Sequence, residues 1–322
     1  MNPKSKGSFI LLPLLLCACL LLCSCGNTTD TESSSDPQSS ATATDNSSPA
    51  VASGSRDNTP VVLTGSADGT VTYGNDSVTI DASHTENGYL MVSYSGSNPK
   101  VKLQITGSDE ITYTYNLHDG YETFPLTSGN GSYTVGVFEN MEGTSYSTLF
   151  TQTLDVTIQD EFGPYLYANQ YVNFTAQSKT VAKAVELSSS ANDDLEVIEN
   201  VYNYIITNFT YDYDKAASVQ SGYLPDVDDV LAKQTGICFD YAAVMAAMLR
   251  CERIPTRLEV GYMGDVYHAW ISTYIKDKGW VNGIIEFDGN DWKLMDPTFA
   301  STSSDPKDFL TQTDEYITKY VY

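Results

Sequence analysis

The sequence is poor in positive charge. It has 17 Lys and Arg residues against 41 Asp and Glu residues, which gives a formal net charge of −24 over 322 residues. Nucleic acids bind surfaces that gather Lys and Arg against phosphates, and a chain this acidic repels a polyanion at long range. We therefore expect no nucleic-acid partner.

Cysteines and long apolar runs are also scarce, and both concentrate at the N-terminus. Four of the six cysteines fall within the first 25 residues, where two lysines precede an apolar run from Phe9 to Leu22. This run is short for a transmembrane helix and is typical of an export signal, here residues 1–24. Its end, LLCSC, resembles the lipobox of bacterial lipoproteins, which predicts lipid attachment at Cys25. An ordinary secretory peptide or an uncleaved anchor is the alternative.

Only Cys238 and Cys251 lie outside the export region. An exported pair could form a disulfide. If the segment between them is helical, however, its 13 steps of about 1.5 Å place the two Cα atoms about 20 Å apart. A disulfide needs less than about 7 Å, so both thiols are expected to be free. A buried structural role is the simpler interpretation of Cys251.

Residues 25–60 have the composition of a disordered linker. From Asn27 to Pro60, 15 of 34 residues are Ser or Thr, and almost none is large and apolar. Such a segment cannot offset its ordering entropy by burial.

Residues 61–160 have the pattern of an all-β domain. Seven short alternating segments are separated by turn signals, which predicts an antiparallel sandwich of the immunoglobulin-like kind. His84 and His118 lack metal-ligand spacing. We interpret the domain as a spacer, and binding of a polymer through its tyrosines is the alternative. The segments are TVTY, SVTIDA, YLMVSYS, KVKLQITG, ITYTYNL, SYTVGVFE and TLDVTIQD.

From about residue 165 the pattern becomes helical and then mixed. The segment DDLEVIENVYNYIITNF carries an apolar stripe at helical spacing, and a second helix is predicted near PDVDDVLAK. Asp226, Asp228 and Asp229 lack a calcium loop with alternating ligands and glycine. We interpret them as acids of a helix's first turn, and predict no metal.

The segment TGICFDYAAVMAAMLR is apolar on nearly every face, which predicts a buried helix that begins near Cys238. A thiolate in a helix's first turn is stabilised by free backbone N–H groups, although cysteine is also a common small core residue. His268 follows in the strand-like DVYHAWISTYI, and Asp296 ends DWKLMDPT just before Pro297. The order suits a nucleophile, its base and a carboxylate that orients the base.

Three blocks resemble the signatures of the transglutaminase-like superfamily: GICFDYAAVMAAMLRCERIPTRLEVGY, YHAWI and WKLMDPT. The resemblance implies an α+β papain-like transglutaminase core over residues 165–322, preceded by the sandwich and the linker. It implies that Cys238 attacks a carboxamide or peptide carbonyl to form a thioester, that His268 is the base and that Asp296 orients it. It also implies that Trp270 packs beside the histidine.

The sequence assigns the remaining positions near the predicted site less clearly. A backbone N–H at the helix start is expected to hold the oxyanion, and Gln234, Tyr211 and Tyr213 are candidates for a second donor by sequence proximity alone. Arg253 stands where many relatives have glycine, so a left-handed helix end there would be strained or replaced by another turn. The piece NGIIEFDGND is predicted to be an extra hairpin.

The sequence thus predicts an exported cysteine acyltransferase, peptidase or amidase without a cofactor, anchored by lipid on the outer face of the cytoplasmic membrane, or on an outer membrane if the organism has one. Its expected partners are a membrane, through the lipid, and a protein or cell-wall peptide substrate. The alternative is a non-catalytic surface module for adhesion or scaffolding that retains the fold.

Overall fold

The structure is a computed structural model, in which residues 55–282, 284–287, 292–295 and 316–322 are described. The predicted export signal, Cys25 and Asp296 lie outside these ranges. Within the described ranges, no helix has both the length and the apolar character needed to cross a membrane.

Eight strands form two four-stranded antiparallel sheets, in the orders β1-β2-β3-β6 and β5-β4-β7-β8. Seven correspond to the predicted segments, and β6 was not predicted. The strands are β1 (Thr72–Gly74), β2 (Val78–Asp81), β3 (Tyr89–Tyr94), β4 (Val101–Thr106), β5 (Thr112–Leu117), β6 (Gly120–Pro125), β7 (Gly131–Glu142) and β8 (Ser145–Val156). The immunoglobulin-like assignment stays a prediction.

The buried residues of these strands and those of the following α/β region belong to one continuous hydrophobic cluster. Tyrosines make the junction: the ring of Tyr115 lies 6.0 Å from that of Tyr322, and the Tyr113 ring lies 5.5 Å from that of Tyr320. The described residues accordingly form a single compact unit.

Residues 55–63 lie along the α/β region, and we call them the N-terminal strap. Arg56 forms an ion pair of 3.0 Å with Glu252, whose side chain is completely buried. The Val61 N–H donates to the carbonyl of Cys251 at 2.8 Å. Part of the segment assigned to the linker, residues 55–60, is therefore held in place by long-range contacts.

Five helices follow. They are α1 (Lys179–Ser188), α2 (Asp194–Asn208), α3 (Tyr213–Ser218), α4 (Val227–Lys233) and α5 (Cys238–Cys251). Asp193 caps α2 by accepting from the Glu196 N–H, and Asp226 caps α4 by accepting from two backbone N–H groups. Side-chain acceptors at these positions satisfy donors that a helix's first turn leaves free.

Helix α5 is the centre of the α/β region, with α1, α2 and α4 against it on one side and two strands on the other. Every residue from Asp240 to Cys251 is buried. At its C-terminal end, the fully buried guanidinium of Arg250 donates to the carbonyls of Thr256 (3.0 Å), Tyr167 (2.8 Å) and Tyr322 (2.7 Å). Burial lowers the pKa of Arg250 to about 9, so the group remains charged at neutral pH.

The turn after α5 places Arg253 at φ 65°, in the left-handed region. A side chain there is strained, as expected for a position where glycine would be unstrained.

The α/β sheet has the order β13-β12-β11-β16 and is antiparallel throughout. A separate hairpin, β14-β15, confirms the hairpin predicted from NGIIEFDGND. The strands are β11 (Thr256–Met263), β12 (Val266–Ile275), β13 (Gly279–Asn282), β14 (Ile284–Phe287), β15 (Trp292–Met295) and β16 (Tyr316–Val321), and two short strands precede α5, β9 (Thr210–Tyr211) and β10 (Thr235–Gly236).

Candidate active site

Cys238 is the first residue of α5 and is partly exposed, whereas the helix body behind it is buried. The first turn of a helix has backbone N–H groups without intrahelical acceptors, and the helix dipole makes this end positive. Both features would stabilise negative charge that develops on a substrate bound beside Cys238. The predicted helix start is therefore found in the structure.

Tyr211 is held beside this turn by backbone pairing. Strands β9 and β10 are parallel, with Tyr211 opposite Gly236, and the Asp212 N–H donates to the Gly236 carbonyl at 2.9 Å. Burial, together with the nearby Cys238, raises the pKa of the Tyr211 phenol to about 12. Tyr211 is therefore a neutral O–H group at physiological pH.

The other two residues proposed as donors have different surroundings. Gln234 ends α4 in a left-handed conformation, and its carboxamide donates to the Tyr204 hydroxyl at 3.3 Å. Tyr213 is 67% exposed, and its ring packs edge-on against Tyr211 at 5.0 Å. Of the three candidates, only Tyr211 has a described contact with Cys238.

A buried acid, Asp240, fixes the first turn of α5. Its Oδ2 accepts from the Ile237 N–H at 2.8 Å and from Lys215 Nζ at 2.6 Å, and its Oδ1 accepts from the Tyr223 hydroxyl at 2.5 Å. Gly236 gives the carboxylate room, because a Cβ there would lie 2.6 Å from the Asp240 Cβ. We call Lys215, Tyr223 and Asp240 the Asp240 cluster.

Sequence reasoning missed this cluster. A signal was present, since an acid at the third position of a helix commonly reaches back to the N-cap N–H. The acid in CFD meets that condition once the helix is taken to begin at Cys238.

His268 lies on β12 and is 4% exposed. Its ring stacks on Trp270, with the centroids 6.1 Å apart and the planes at 22°, so the tryptophan does pack beside the histidine. Gly261 lies opposite His268 on β11. A side chain there would collide with the Ile317 carbonyl of β16, so the close approach of these strands requires glycine.

Neighbouring residues of β12 point to opposite faces of the sheet. Tyr267 therefore shares a face with Ala269 and Ile271, and His268 shares the other face with Trp270. Burial raises the pKa of the Tyr267 phenol, and the nearby Cys238 thiol adds to this effect. Tyr211 and Tyr267 are thus described residues whose pKa values respond to the charge of Cys238.

The pairing of the Cys238 thiol with the His268 imidazole stays a prediction. So does the role of Asp296, which lies outside the described residues. Nor do the described ranges contain a group of three or more His, Cys, Asp or Glu side chains placed to hold a metal ion.

Two further residues from the signature blocks, Cys251 and Arg257, make contacts that stabilise the fold. The Cys251 thiol is buried and donates to the Met248 carbonyl at 3.1 Å, and burial raises its pKa to about 12. The Arg257 guanidinium lies 3.7 Å from the ring centroid of Trp280 and 4.8 Å from that of Tyr165. Such cation–π contacts fix the start of β11.

Comparison with known proteins shows what this part of the chain is similar to. Residues 181–283 match the model of the transglutaminase-like superfamily. The UPF0252 protein of Methanocaldococcus jannaschii is 31% identical over 90 residues, which are 26% of this chain and 24% of that protein. The match thus spans about a quarter of that relative's length.

Two solved structures are also similar. A candidate cysteine protease from Cytophaga hutchinsonii has 19% identity and a TM-score of 0.33, over 71% of this chain and 69% of that chain. The periplasmic domain of TgpA from Pseudomonas aeruginosa bound to ethylmercury has 14% identity and a TM-score of 0.34, over 74% of this chain and 100% of that chain. TM-scores this low support no conclusion about the reaction or the substrate of this protein.

The matched range contains the helix that begins at Cys238 and the strand that carries His268. Residues 181–283 are therefore the part of the chain that is similar to the transglutaminase-like superfamily.

Proposed function

We propose that the protein is an exported cysteine enzyme in which Cys238 is the nucleophile, His268 the base and Asp296 the residue that orients the base. The observation that carries the proposal is the position of Cys238. It is the partly exposed first residue of a buried helix, at the end that carries backbone N–H donors and a positive dipole, and it lies within the range that matches the transglutaminase-like superfamily.

The proposed reaction has two steps. The Cys238 thiolate attacks the carbonyl carbon of a carboxamide or peptide, the C–N bond breaks, and His268 protonates the leaving nitrogen, which gives a thioester. An amine or water then attacks the thioester, transfers a proton to His268 and releases the thiolate. An amine makes the protein a transglutaminase, and water makes it a peptidase or amidase.

The oxyanion of each tetrahedral intermediate is assigned to two donors, the Cys238 backbone N–H and the Tyr211 O–H. Their placement supports the assignment, because the Tyr211 phenol lies near the backbone of Cys238 at the start of α5. A substrate oxygen that enters between them would receive both hydrogen bonds. Gln234 and Tyr213 have no part in this proposal.

We also propose that the substrate is a protein or a cell-wall peptide outside the cytoplasmic membrane, and that a lipid on Cys25 holds the chain at a membrane surface. The basis is the export-signal pattern of residues 1–24 and the lipobox-like LLCSC.

The test is incubation of the protein with a glutamine peptide and a fluorescent amine. Amine incorporation and peptide hydrolysis are measured for the wild type, Cys238→Ala and Cys251→Ala. We expect Cys238→Ala to abolish both products and Cys251→Ala to retain them, because Cys251 is buried within the helix end. Iodoacetamide at pH 8, followed by mass spectrometry, should label Cys238 in the native protein and Cys251 only after unfolding.

The products distinguish the candidate functions. Incorporation that depends on Cys238 indicates a transglutaminase, and hydrolysis alone indicates a peptidase or amidase. If no thiol-dependent product forms and Cys238 resists alkylation, the catalytic proposal is wrong and the non-catalytic surface module replaces it.

A further inference from the structure

One face of the α/β sheet is buried along the middle of its strands and exposed at one end. Leu258 lies opposite Ile271, and both are at most 1% exposed. Four residues further along β11 on the same face, Tyr262 lies opposite Tyr267, and these rings are 39% and 58% exposed. Ile317 of β16 lies opposite Tyr262 and is 47% exposed. Three large apolar side chains therefore form one exposed surface.

Helix α5 covers the buried part of this face. The helix packs on both β11 and β12. Tyr322 exchanges two backbone hydrogen bonds with Leu258, so the two side chains share a face. The Tyr322 ring lies 4.3 Å from that of Tyr171, which lies 5.5 Å from the ring of Phe239 in the first turn of α5. Tyr171 thus connects the helix start to this face.

The exposed end of the face is the end nearest to Cys238. A short turn joins the end of α5 to the start of β11, which runs back along the helix. By their rise per residue, α5 is about 20 Å long and β11 about 23 Å, so the strand reaches the level of Cys238 where Tyr262 lies. Burial raises the pKa of the Tyr267 phenol, and Tyr320, Tyr262 and Cys238 add to the effect, as this position implies.

We call Tyr262, Tyr267 and Ile317 the hairpin patch. The two tyrosine rings lie 5.4 Å apart at 65°, edge to face. This arrangement leaves the face of one ring beside the edge of the other, which is a corner that receives a further aromatic or aliphatic side chain. Single exposed apolar residues are ordinary on a protein surface, whereas a contiguous group of them is typical of a binding site.

The charges around the patch do not favour an acidic ligand. Asp265 lies in the turn between β11 and β12, and Asp214 lies in α3. Of the two lysines on neighbouring elements, Lys215 is bound to Asp240, and Lys319 is exposed on β16. The chain's formal net charge of −24 repels a carboxylate-rich peptide at long range. The chemistry that fits is an apolar side chain on a peptide without acids beside it.

We propose that the hairpin patch binds a large apolar side chain next to the reactive carboxamide of a peptide substrate. The protein thereby selects peptides with an aromatic residue at that position and without a neighbouring carboxylate. The inference rests on the function proposed for Cys238, because a carboxamide held for attack there brings its flanking residues over the surface beside the helix start. Tyr262 and Tyr267 determine specificity and do not touch the reacting atoms.

Three glutamine peptides test the proposal. The first is acetyl-Gly-Phe-Gln-Phe-Gly-amide, and the others have Ala or Asp in place of both phenylalanines. Isothermal titration calorimetry measures their binding to full-length Cys238→Ala, which cannot turn them over by the proposed reaction. We expect the Phe peptide to bind about tenfold more tightly than the Ala peptide, and the Asp peptide to bind most weakly. In the wild type, KM for amine incorporation or hydrolysis should follow the same order.

Substitutions in the patch provide the second measurement. Tyr267→Ser and Tyr262→Ser, each combined with Cys238→Ala, should bind the Phe and Ala peptides with nearly equal affinity. Tyr121→Ser is the matched control, because this tyrosine is 45% exposed on β6 in a different sheet and its loss should retain the tenfold preference. All three tyrosines are at least 39% exposed, so their replacement leaves the core intact, and circular dichroism checks this.

The proposal is overturned if the Phe peptide gives no saturable heat, if it binds no more tightly than the Ala peptide, or if both serine variants of the patch keep the preference. A lower molar mass of Tyr267→Ser in light scattering, with unchanged peptide affinity, would assign the patch to a contact between two copies and also overturn it. Preferential binding without turnover by the wild type would contradict the reaction proposed for Cys238 and support the patch. Turnover without preference would support the reaction and contradict the patch.

Discussion

At the scale of single residues, Tyr211 and Tyr213 form a matched pair. Both are tyrosines, and their rings contact each other, but only Tyr211 has a described contact with Cys238. The Tyr211 hydroxyl is neutral at pH 7, so it can donate to a developing oxyanion, and the free N–H groups of the helix start lie beside it.

We expect Tyr211→Phe to lower kcat/KM about 10²-fold, the usual cost of removing one oxyanion donor. Tyr213→Phe should change it little, because this hydroxyl is exposed. Steady-state kinetics on the substrate found in the amine-incorporation assay provide the measurement, with circular dichroism to check folding. A Tyr211→Phe enzyme as active as the wild type would remove Tyr211 from the site.

The sequence predicted Cys238 correctly as a helix start, because the apolar run that follows it leaves one place for the helix to begin. It did not predict the role of Asp240, because a single acid within an apolar run forms no repeating pattern from which a role can be inferred. The partners of Asp240 also come from distant positions, with Lys215 lying 25 residues earlier. Contacts of this kind depend on tertiary packing, which local patterns do not report.

At the scale of elements, α5 is fixed at its reactive end by the Asp240 cluster. Asp240 is completely buried, and Lys215 is its one described cationic partner. Removing one member of a buried ion pair leaves an uncompensated charge, which costs roughly 3–5 kcal/mol.

Lys215→Met should therefore lower the free energy of unfolding by about 3 kcal/mol in urea titrations. Lys183→Met is the control: Lys183 pairs with the exposed Glu186, and its loss should cost less than about 1 kcal/mol. Equal effects from the two variants would show that the Asp240 cluster does not stabilise the start of α5.

Some strands and helices of the structure were not predicted from the sequence, and each case has a physical explanation. Strand β6 has Gly at its first position and Pro at its last, which are signals for turns rather than strands. Helix α1 contacts α2, α4 and α5. Short helices gain most of their stability from such packing and little from local propensity. The predicted helices α2, α4 and α5 have clearer caps or longer apolar runs.

At the scale of the whole molecule, the N-terminal strap connects parts of the chain far apart in sequence. Arg56 pairs with Glu252, 196 positions later, and with Asp194 at 2.6 Å. Ser-rich composition predicted disorder up to residue 60, because a prediction from composition cannot include a partner so distant.

Arg56→Ala should lower the free energy of unfolding by about 3 kcal/mol, since Glu252 would remain buried without its cation. The neighbouring pair of Asp57 with Arg253 provides the control, because Asp57 is 67% exposed and Asp57→Ala should have a much smaller effect on stability. Differential scanning calorimetry measures both. Similar melting temperatures for the two variants would contradict a stabilising role for the strap.

The strap also determines where the chain enters the compact unit. Its bonds are made at the C-terminal end of α5, where Val61 donates to the Cys251 carbonyl. Cys238 begins the same helix, about 20 Å away by the rise of an α-helix. The bonds of the strap and the Cys238 thiol thus lie at opposite ends of helix α5. A partner that binds the strap would therefore leave the Cys238 end of the helix free to meet a substrate.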